Sequence, residues 1–300
     1  MSEYQTKSET RSEGGASNVR LLFLSLRPWE WIKNLLVLAP LFFAGIMTEP
    51  GLLQNAIGGF LQFCFMASAV YLFNDLADRK NDRLHPAKAQ RPLASGELSP
   101  SLAWGFCGGL SLISLGSAFI ISKSFFMVLC AYAIINIFYT LWLKQVIILD
   151  VMVIALGFVL RVIGGSVLVG VQPSNWIVMC TILLSLFLAL SKRRYELQTI
   201  EGEPGLHREV LKGYNAYILD QLIAVVTAST VMSYALYAIT VGDFQIYSVF
   251  FVLFGIFRYL YLLHGGAVQG TPTEMLLADR PLLFTLLLWG LFLMVDIYFL

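Results

Sequence analysis

Residues 53–82 read LQNAIGGFLQFCFMASAVYLFNDLADRKND, an apolar run that ends in a group of acidic side chains. The apolar part, residues 53–76, is longer than the roughly 20 residues that a helix needs to cross the hydrocarbon core of a bilayer. Charged groups are costly to place at a membrane boundary, yet the polar end carries Asn74, Asp75, Asp78 and Asp82. This stretch therefore predicts a membrane-spanning helix with a functional site at one end.

The composition of the whole chain is that of a membrane protein. Of its 300 residues, 58% are hydrophobic and only 13% are charged, whereas soluble domains carry about 25% charged residues. The net charge of +1 gives no basic field of the kind that nucleic-acid-binding proteins use. We therefore predict an all-α polytopic membrane protein in contact with membrane lipids, and we exclude a nucleic-acid partner.

Nine apolar segments are candidates for spanning helices. They are residues 34–48, 53–76, 101–121, 125–143, 147–170, 175–194, 217–241, 244–263 and 281–299. The first is short and interrupted by Pro40, so we expect residues 20–33 to form an amphipathic helix in the membrane interface. Residues 1–19 are polar and predict a disordered tail, which leaves one membrane domain over residues 20–300.

The basic residues are distributed unevenly between the two sides of these spans. Seventeen of the 20 Lys and Arg residues fall on the side of the N-terminus, whereas Lys123 alone falls on the other side. The positive-inside rule therefore predicts a multi-pass protein of the cytoplasmic (inner) membrane, with the N-terminus and residues 77–100 and 192–216 in the cytoplasm. Arg161 lies within a predicted span and must face the bundle interior, where it either pairs within the protein or contacts substrate. The same choice is open for Arg280.

The acidic end of the second span has a helical spacing that suits a metal ion. At about 100° per residue, Asn74, Asp78, Asp82 and Asp75 fall within roughly 100° of the helix circumference. Carboxylates so close together repel one another unless a cation is bound between them. Hard oxygen ligands without His or Cys favour Mg²⁺, which binds through a few carboxylates and the phosphates of a substrate.

Other polar residues are expected at the same end of the bundle. Lys88 and Arg91 follow in the next loop, where their charges suit phosphate oxygens. Tyr139, Lys144 and Asp150 gather where the fourth span meets the fifth. The sixth span ends in Lys192-Arg193-Arg194-Tyr195-Glu196, which is either a positive-inside stop signal or part of the site.

Asn74-Asp75-x-x-Asp78-x-x-x-Asp82, followed by Arg91-Pro92-x-x-Ser95-Gly96, resembles the first aspartate-rich motif of the UbiA superfamily of intramembrane prenyltransferases. This resemblance implies nine helices around a central cavity, with cytoplasmic cap loops that bind Mg²⁺ and a diphosphate. Matched to the motif, Asn74, Asp78 and Asp82 are the implied catalytic and metal-binding residues.

The second aspartate-rich motif of that superfamily is replaced here by residues 192–196. Together with residues 27–34 and 85–96, this departure is similar to the decaprenyl-phosphate phosphoribosyltransferase branch. The branch implies transfer of 5-phosphoribose from phosphoribosyl pyrophosphate to a polyprenyl phosphate, with release of pyrophosphate, in cell-wall precursor synthesis. Cations in place of carboxylates suit the additional phosphates of these substrates. The predicted substrate-binding residues are Lys33, Asp75, Lys88, Arg91, Tyr139, Lys144, Asp150, Lys192, Arg193 and Glu196.

Other functions remain open from the sequence. Within the superfamily, the alternative is transfer of a prenyl group from a polyprenyl diphosphate to an aromatic acceptor such as 4-hydroxybenzoate. A secondary transporter would also hold charged residues inside a bundle, but transporters usually show inverted repeats and broken midplane helices. A non-catalytic lipid-binding scaffold has no need of the costly carboxylate face. The sequence is compatible with a homo-oligomer and does not determine the oligomeric state.

Overall fold

The computed structural model describes residues 18–84, 88–199, 209–265 and 272–300. These ranges are helical, without a β-strand among them, and eight of their helices are long and apolar enough to cross a membrane. The helices are α1 Asn18–Leu26, α2 Ala39–Phe43, α3 Pro50–Asp82, α4 Pro92–Ser95, α5 Pro100–Ile121, α6 Lys123–Leu141, α7 Leu149–Val169, α8 Asn175–Thr199, α9 Ala216–Val241, α10 Val249–Gly265, α11 Pro272–Ala278 and α12 Arg280–Phe299. The chain is a multi-pass membrane protein.

The N-terminal segment is broken where the sequence predicts one amphipathic helix over residues 20–33. Helix α1 ends at Leu26, Arg27 follows with a left-handed φ of 53° and ψ of 60°, and a 3₁₀ helix Pro28–Val37 begins after it. The ring of Pro28 disfavours the right-handed helical conformation at the residue before it, so the prediction of one continuous helix was wrong. Residues 34–48 contain the end of the 3₁₀ helix and the five-residue α2, and the count of nine spans therefore stays a prediction. Residues 1–17, most of the predicted tail, lie outside the described residues.

The starts of several spanning helices are determined by capping residues. A polar side chain before the helix accepts a hydrogen bond from the backbone N–H three residues later, which satisfies one of the free donors of the first turn. The caps of α5, α6, α9 and α12 are Ser99, Ser122, Asn215 and Asp279. These caps explain why the predicted and observed helix starts agree closely.

Helices α3 and α7 are the most buried of the eight and form the centre of the bundle. Helix α3 packs against α5, α6, α7 and the 3₁₀ helix. At Gly165 the backbone of the 3₁₀ helix approaches α7 so closely that a Cβ atom would lie 1.9 Å from the carbonyl oxygen of Val37. A Cβ at Gly164 would lie 2.7 Å from the ring of Phe63. These two glycines therefore allow α7 to pack closely against the 3₁₀ helix and α3.

Helix α3 leaves the apolar layer without ending. It continues to Asp82, six residues beyond the predicted end of the span, so that the loop predicted over residues 77–100 begins later. The short helix α4 lies alongside this extension, because Arg79 Nε donates to the carbonyl of Leu93 at 3.0 Å and Arg83 Nε donates to that of Ala94 at 2.9 Å. This arrangement places the end of the loop between α3 and α4, with Lys88 and Arg91, over the acidic end of α3.

Candidate active site

The carboxylates at the end of α3 are each paired with cations from other parts of the chain. Arg27 Nη2 donates to both oxygens of Asp75, at 2.6 and 2.8 Å, and its guanidinium lies 5.1 Å from the centre of the Tyr71 ring. The left-handed backbone at Arg27 therefore directs its side chain onto α3. Sequence reasoning treated Arg27 only as an interfacial basic residue and part of a motif, although the following Pro28 is a signal for the break.

Arg91 connects the loop after α3 with two successive parts of the acidic face. Its Nη1 atom lies 3.0 Å from Asp75 Oδ1 and 2.7 Å from Asp82 Oδ2. Lys88 Nζ lies 3.8 Å from the other oxygen of Asp82. The structure therefore brings together four of the predicted site residues at this position, namely Asp75, Asp82, Lys88 and Arg91. Residues 85–87 of the same loop lie outside the described residues.

Asn74 and Asp78 face different neighbours, the end of α6 and the connection between α6 and α7. Lys144 Nζ donates to both oxygens of Asp78, at 2.5 and 2.6 Å, and Thr140 Oγ1 donates to Asn74 Oδ1 at 3.3 Å. The acidic face thus has two halves, with Asn74 and Asp78 on one side and Asp75 and Asp82 on the other. The helical spacing already separates these pairs, since the members of each pair are about 40° or less apart on the helix.

The oxygens of this face have the chemistry of a magnesium site, although they are now directed at cations. Three carboxylates and an amide supply hard oxygen donors. Among the residues that the structure describes, no three His, Cys, Asp or Glu side chains are grouped closely enough to hold a metal ion. A metal ion on these oxygens would replace some of the Arg and Lys side chains that are paired with them. Lys88 and Arg91, at 35% and 27% side-chain exposure, are the most accessible of these cations.

Asp150, Arg193 and Glu196 form a second charged group behind the acidic face. Asp150 is fully buried and accepts hydrogen bonds from Arg193 Nε at 2.7 Å and from the Tyr214 hydroxyl at 2.8 Å. Arg193 Nη1 also donates to Glu196 Oε2 at 2.7 Å. Because Arg193 and Asp150 are buried and bonded to each other, the geometry favours a positioning role, and their predicted contact with substrate stays a prediction. Tyr214 carried no signal in the sequence.

Lys33, Tyr139 and Lys192 lie at the margin of the site. Lys33 forms an ion pair with Glu30, a residue that sequence reasoning missed. Burial alone would raise the pKa of the Glu30 carboxyl, but the nearby charges of Lys33, Lys192 and Arg27 outweigh it and lower that pKa. Because Lys192 belongs to α8 and Glu30 to the 3₁₀ helix, their interaction means that the end of α8 lies near the 3₁₀ helix. Tyr139 and Lys192 are half-buried at the same end of the bundle, and Tyr139 interacts with Arg193.

Arg161 lies deep in the bundle, away from the acidic face. Its guanidinium donates to Asn34 Oδ1 at 2.6 Å, to the Gly157 carbonyl at 2.8 Å and to the Tyr132 hydroxyl at 3.0 Å. It also lies within 5.9 Å of the ring centres of Phe63, Tyr132 and Phe158. The prediction that Arg161 faces the interior is confirmed. Of the two roles left open for it, pairing within the protein is the one that the structure shows.

A model of the UbiA prenyltransferase family matches residues 37–266 of the sequence. The chain belongs to the UbiA prenyltransferase family. Two of its relatives in that family are named decaprenyl-phosphate phosphoribosyltransferase. The protein from Mycolicibacterium smegmatis is 32% identical over 285 residues, which are 89% of this chain and 89% of the relative. The protein from Corynebacterium glutamicum is 32% identical over 287 residues, which are 91% of this chain and 86% of the relative.

Solved structures of UbiA family members share the fold. The structure of a UbiA homolog from Archaeoglobus fulgidus bound to DMAPP and Mg²⁺ is similar with a TM-score of 0.70 and 25% identity, over 95% of this chain and 100% of that chain. The same homolog bound to GPP and Mg²⁺ gives a TM-score of 0.70 at 24% identity, over 92% and 96% of the two chains. The predicted all-α membrane fold and the predicted family are therefore confirmed, and membership of the family supports the predicted transferase class.

Proposed function

We propose that this UbiA family member transfers 5-phosphoribose from phosphoribosyl pyrophosphate to a polyprenyl phosphate and releases pyrophosphate. The observation that carries the proposal is the set of cations on the α3 carboxylates, which are Arg27, Lys88, Arg91 and Lys144. The two substrates bring a pyrophosphate, a 5-phosphate and an acceptor phosphate, so they need more cations than one prenyl diphosphate does. The two phosphoribosyltransferase-named relatives support the same reaction.

The metal is proposed to be Mg²⁺, held by oxygens of Asn74, Asp78 and Asp82. The donor set suits a hard divalent cation, and the Archaeoglobus homolog bound to Mg²⁺ supports its use in the family. When bound, the metal supplies positive charge that stabilises the departing pyrophosphate. Asp75 is held by two arginines and is proposed to position Arg27 and Arg91 rather than to be a ligand.

The protein's own contribution is to orient three anionic groups. Lys88, Arg91 and Lys144 are proposed to exchange their carboxylate partners for phosphate oxygens of the donor as it enters. The bond from the anomeric carbon to the pyrophosphate oxygen then breaks, while an oxygen of the polyprenyl phosphate forms the new bond to that carbon. The acceptor oxygen is already anionic, so the reaction needs no strong general base.

The active site is proposed to face the cytoplasm of a cell whose inner membrane holds the protein. The charge distribution supports this orientation, since 17 Lys and Arg residues fall on the side of the acidic face. We expect a cysteine introduced at Ser95 to be protected from an impermeant thiol reagent on intact cells, in a variant without the four native cysteines. A cysteine at Ser122 should react. Labelling at Ser95 but not at Ser122 would show that the orientation is the opposite of the one proposed.

The test of the reaction uses purified protein in detergent with labelled phosphoribosyl pyrophosphate, Mg²⁺ and decaprenyl phosphate. We expect a labelled lipid product whose formation stops in EDTA. A parallel reaction supplies a prenyl diphosphate and 4-hydroxybenzoate. Formation of a prenylated aromatic product, with no lipid-linked phosphoribose, would replace the proposal with the aromatic prenyltransferase alternative. A secondary transporter would give neither product in detergent, where no membrane separates two compartments.

A further inference from the structure

The turn that carries Lys144 contains a strained residue. Ile148, between the 3₁₀ turn Leu143–Gln145 and α7, has a φ of 69° and a ψ of −43°. This conformation is a genuine outlier for a β-branched side chain, and such strain persists only where surrounding contacts hold it. The side chain of Ile148 gives α7 no capping hydrogen bond and is half exposed. The Ile148 carbonyl accepts hydrogen bonds from the Val151 and Met152 N–H groups of α7, and its backbone N–H makes a contact outside the turn.

That contact is the hydroxyl of Tyr214, 66 residues further along the chain. The backbone N–H of Ile148 donates to the Tyr214 hydroxyl at 2.7 Å, and the hydroxyl donates to Asp150 Oδ1 at 2.8 Å. The ring of Tyr214 is buried, and Asp150 is held on its other oxygen by Arg193 at 2.7 Å. Burial, and secondly the bond to Asp150, raise the pKa of the Tyr214 phenol, so the hydroxyl keeps its proton and can donate. The phenol thus bonds both to the strained residue and to a carboxylate in the first turn of α7.

The position of Lys144 depends on this turn. Lys144 lies four residues before Ile148, and its Nζ reaches both oxygens of Asp78. The turn has the backbone bonds of Gln145 N–H to Trp142 and of Val146 N–H to Leu143 on its other side. A change of φ at Ile148 would swing this short segment relative to α7. Lys144 would then move away from the acidic face of α3.

We propose that Tyr214 is a positioning residue that acts through the strained turn at Ile148 to hold Lys144 against Asp78. The inference rests on the proposed function for the role of Lys144 in donor binding. It adds that the connection before α9 contributes to the acidic site without touching it. Tyr214 is thereby a determinant of donor use, although its hydroxyl contacts Ile148 and Asp150.

The first test is Tyr214→Phe, which keeps the buried ring and removes only the hydroxyl. The matched control is Tyr234→Phe, because the Tyr234 hydroxyl is also bonded, to Ser248 at 2.7 Å and to Trp289 at 2.8 Å, near the opposite end of the bundle. Hydrogen exchange of peptides covering residues 142–150 is measured in detergent. We expect faster exchange there in Tyr214→Phe and wild-type exchange in Tyr234→Phe. Unchanged exchange in Tyr214→Phe would overturn the proposal.

The second test separates positioning from general stability. We expect Tyr214→Phe to lower kcat/KM for phosphoribosyl pyrophosphate about tenfold, the order of one lost hydrogen bond in a buried site. In a Lys144→Met background the same change should cost less than about threefold, because residues that act through one contact are not additive. Equal losses in both backgrounds would mean that Tyr214 acts independently of Lys144, and would overturn the proposal.

If Tyr214→Phe does not fold, a suppressor variant still tests the proposal. Glycine adopts positive φ without the clash of a Cβ atom, so Ile148→Gly removes the strain that the phenol holds. We expect the pair Ile148→Gly with Tyr214→Phe to fold and to exchange more slowly at residues 142–150 than Tyr214→Phe alone. A pair that is as unstable as the single variant would contradict the inference. Absence of any phosphoribosyl transfer by the wild type would instead contradict the proposed function, while the exchange data still decide the role of Tyr214.

Discussion

The two places where charge is concentrated in this bundle are built in opposite ways. At the end of α3, carboxylates pair with Arg and Lys side chains, and the most accessible of these cations belong to the loop after the helix. Around Arg161, the partners are an amide, a phenol and a backbone carbonyl, and all of them are buried. Partners on a loop can be exchanged for a ligand, whereas partners on packed helices cannot. The difference supports the proposal that the first charge group serves chemistry and the second serves the fold.

Neutralising the acidic face should give the largest effect on activity. Asp78→Asn and Asp82→Asn each remove a proposed metal ligand, so we expect kcat/KM to fall by at least about a thousandfold while the protein still elutes as a folded species. Asp243→Asn, at an exposed position outside the site, is the control and should keep wild-type turnover. Activity is measured as labelled lipid product with Mg²⁺ and with EDTA. Wild-type rates in both site variants would contradict the proposal that the carboxylates at the end of α3 serve the reaction.

Removing the deep cation should affect stability first. Arg161→Met leaves Asn34 Oδ1 and the Tyr132 hydroxyl without this donor and removes the side-chain bond to the Gly157 carbonyl, which we expect to cost about 3 kcal/mol of unfolding free energy. Thermal unfolding in detergent measures this change. Arg280→Met, at an exposed arginine, is the control of the same residue type and should leave the unfolding temperature nearly unchanged. A stable Arg161→Met protein that had lost only activity would assign Arg161 to the chemistry instead.

A change at Lys192 tests whether the charged end of α8 binds substrate phosphate, as is proposed for Lys88, Arg91 and Lys144. If it holds a phosphate in place of the missing second aspartate motif, Lys192→Ala should lower kcat/KM for phosphoribosyl pyrophosphate by roughly tenfold to a hundredfold. The proposal also predicts that prenyl diphosphates do not serve as donor. A nearly silent Lys192→Ala, together with prenyl transfer to an aromatic acceptor, would favour the alternative function.

Lys88 should give the smallest effect, because its ion pair with Asp82 is long and partly exposed. Its Nζ lies 3.8 Å from Asp82, and such pairs contribute roughly 0–1 kcal/mol to stability. We therefore expect Lys88→Met to unfold within a few degrees of the wild type but to raise the KM for phosphoribosyl pyrophosphate several-fold. A large loss of stability with an unchanged KM would make Lys88 structural, like Arg161.

The sequence predicts those features that depend on local pattern. Apolar runs of about 20 residues located the eight observed spans, and the spacing of Asn74, Asp78 and Asp82 placed their side chains near one another on α3. The partners of these side chains depend on packing between distant segments, which no local pattern contains. Asn34 and Arg161 are 127 residues apart, and Tyr214 and Ile148 are 66 apart.

Burial explains why some predicted site residues have another role in the structure. Asp150 and Arg193 have the residue types of a phosphate site, and the sequence places them at the correct end of the bundle. Their mutual pairing removes both from solvent, which only the packing of α7 against α8 determines. The break at Arg27 had a local cause in Pro28. Its consequence, the pair of hydrogen bonds from Arg27 to Asp75, involves a residue 48 positions away.

The close approach at Gly165 makes this position genetically intolerant. Every amino acid other than glycine carries a Cβ atom, and here that atom would lie 1.9 Å from the carbonyl oxygen of Val37. Backbone on both sides is held in packed helices, so neither side yields easily. Each missense change that one nucleotide can produce in a glycine codon therefore meets the same obstacle. In a mutational scan, this codon should accept only synonymous changes.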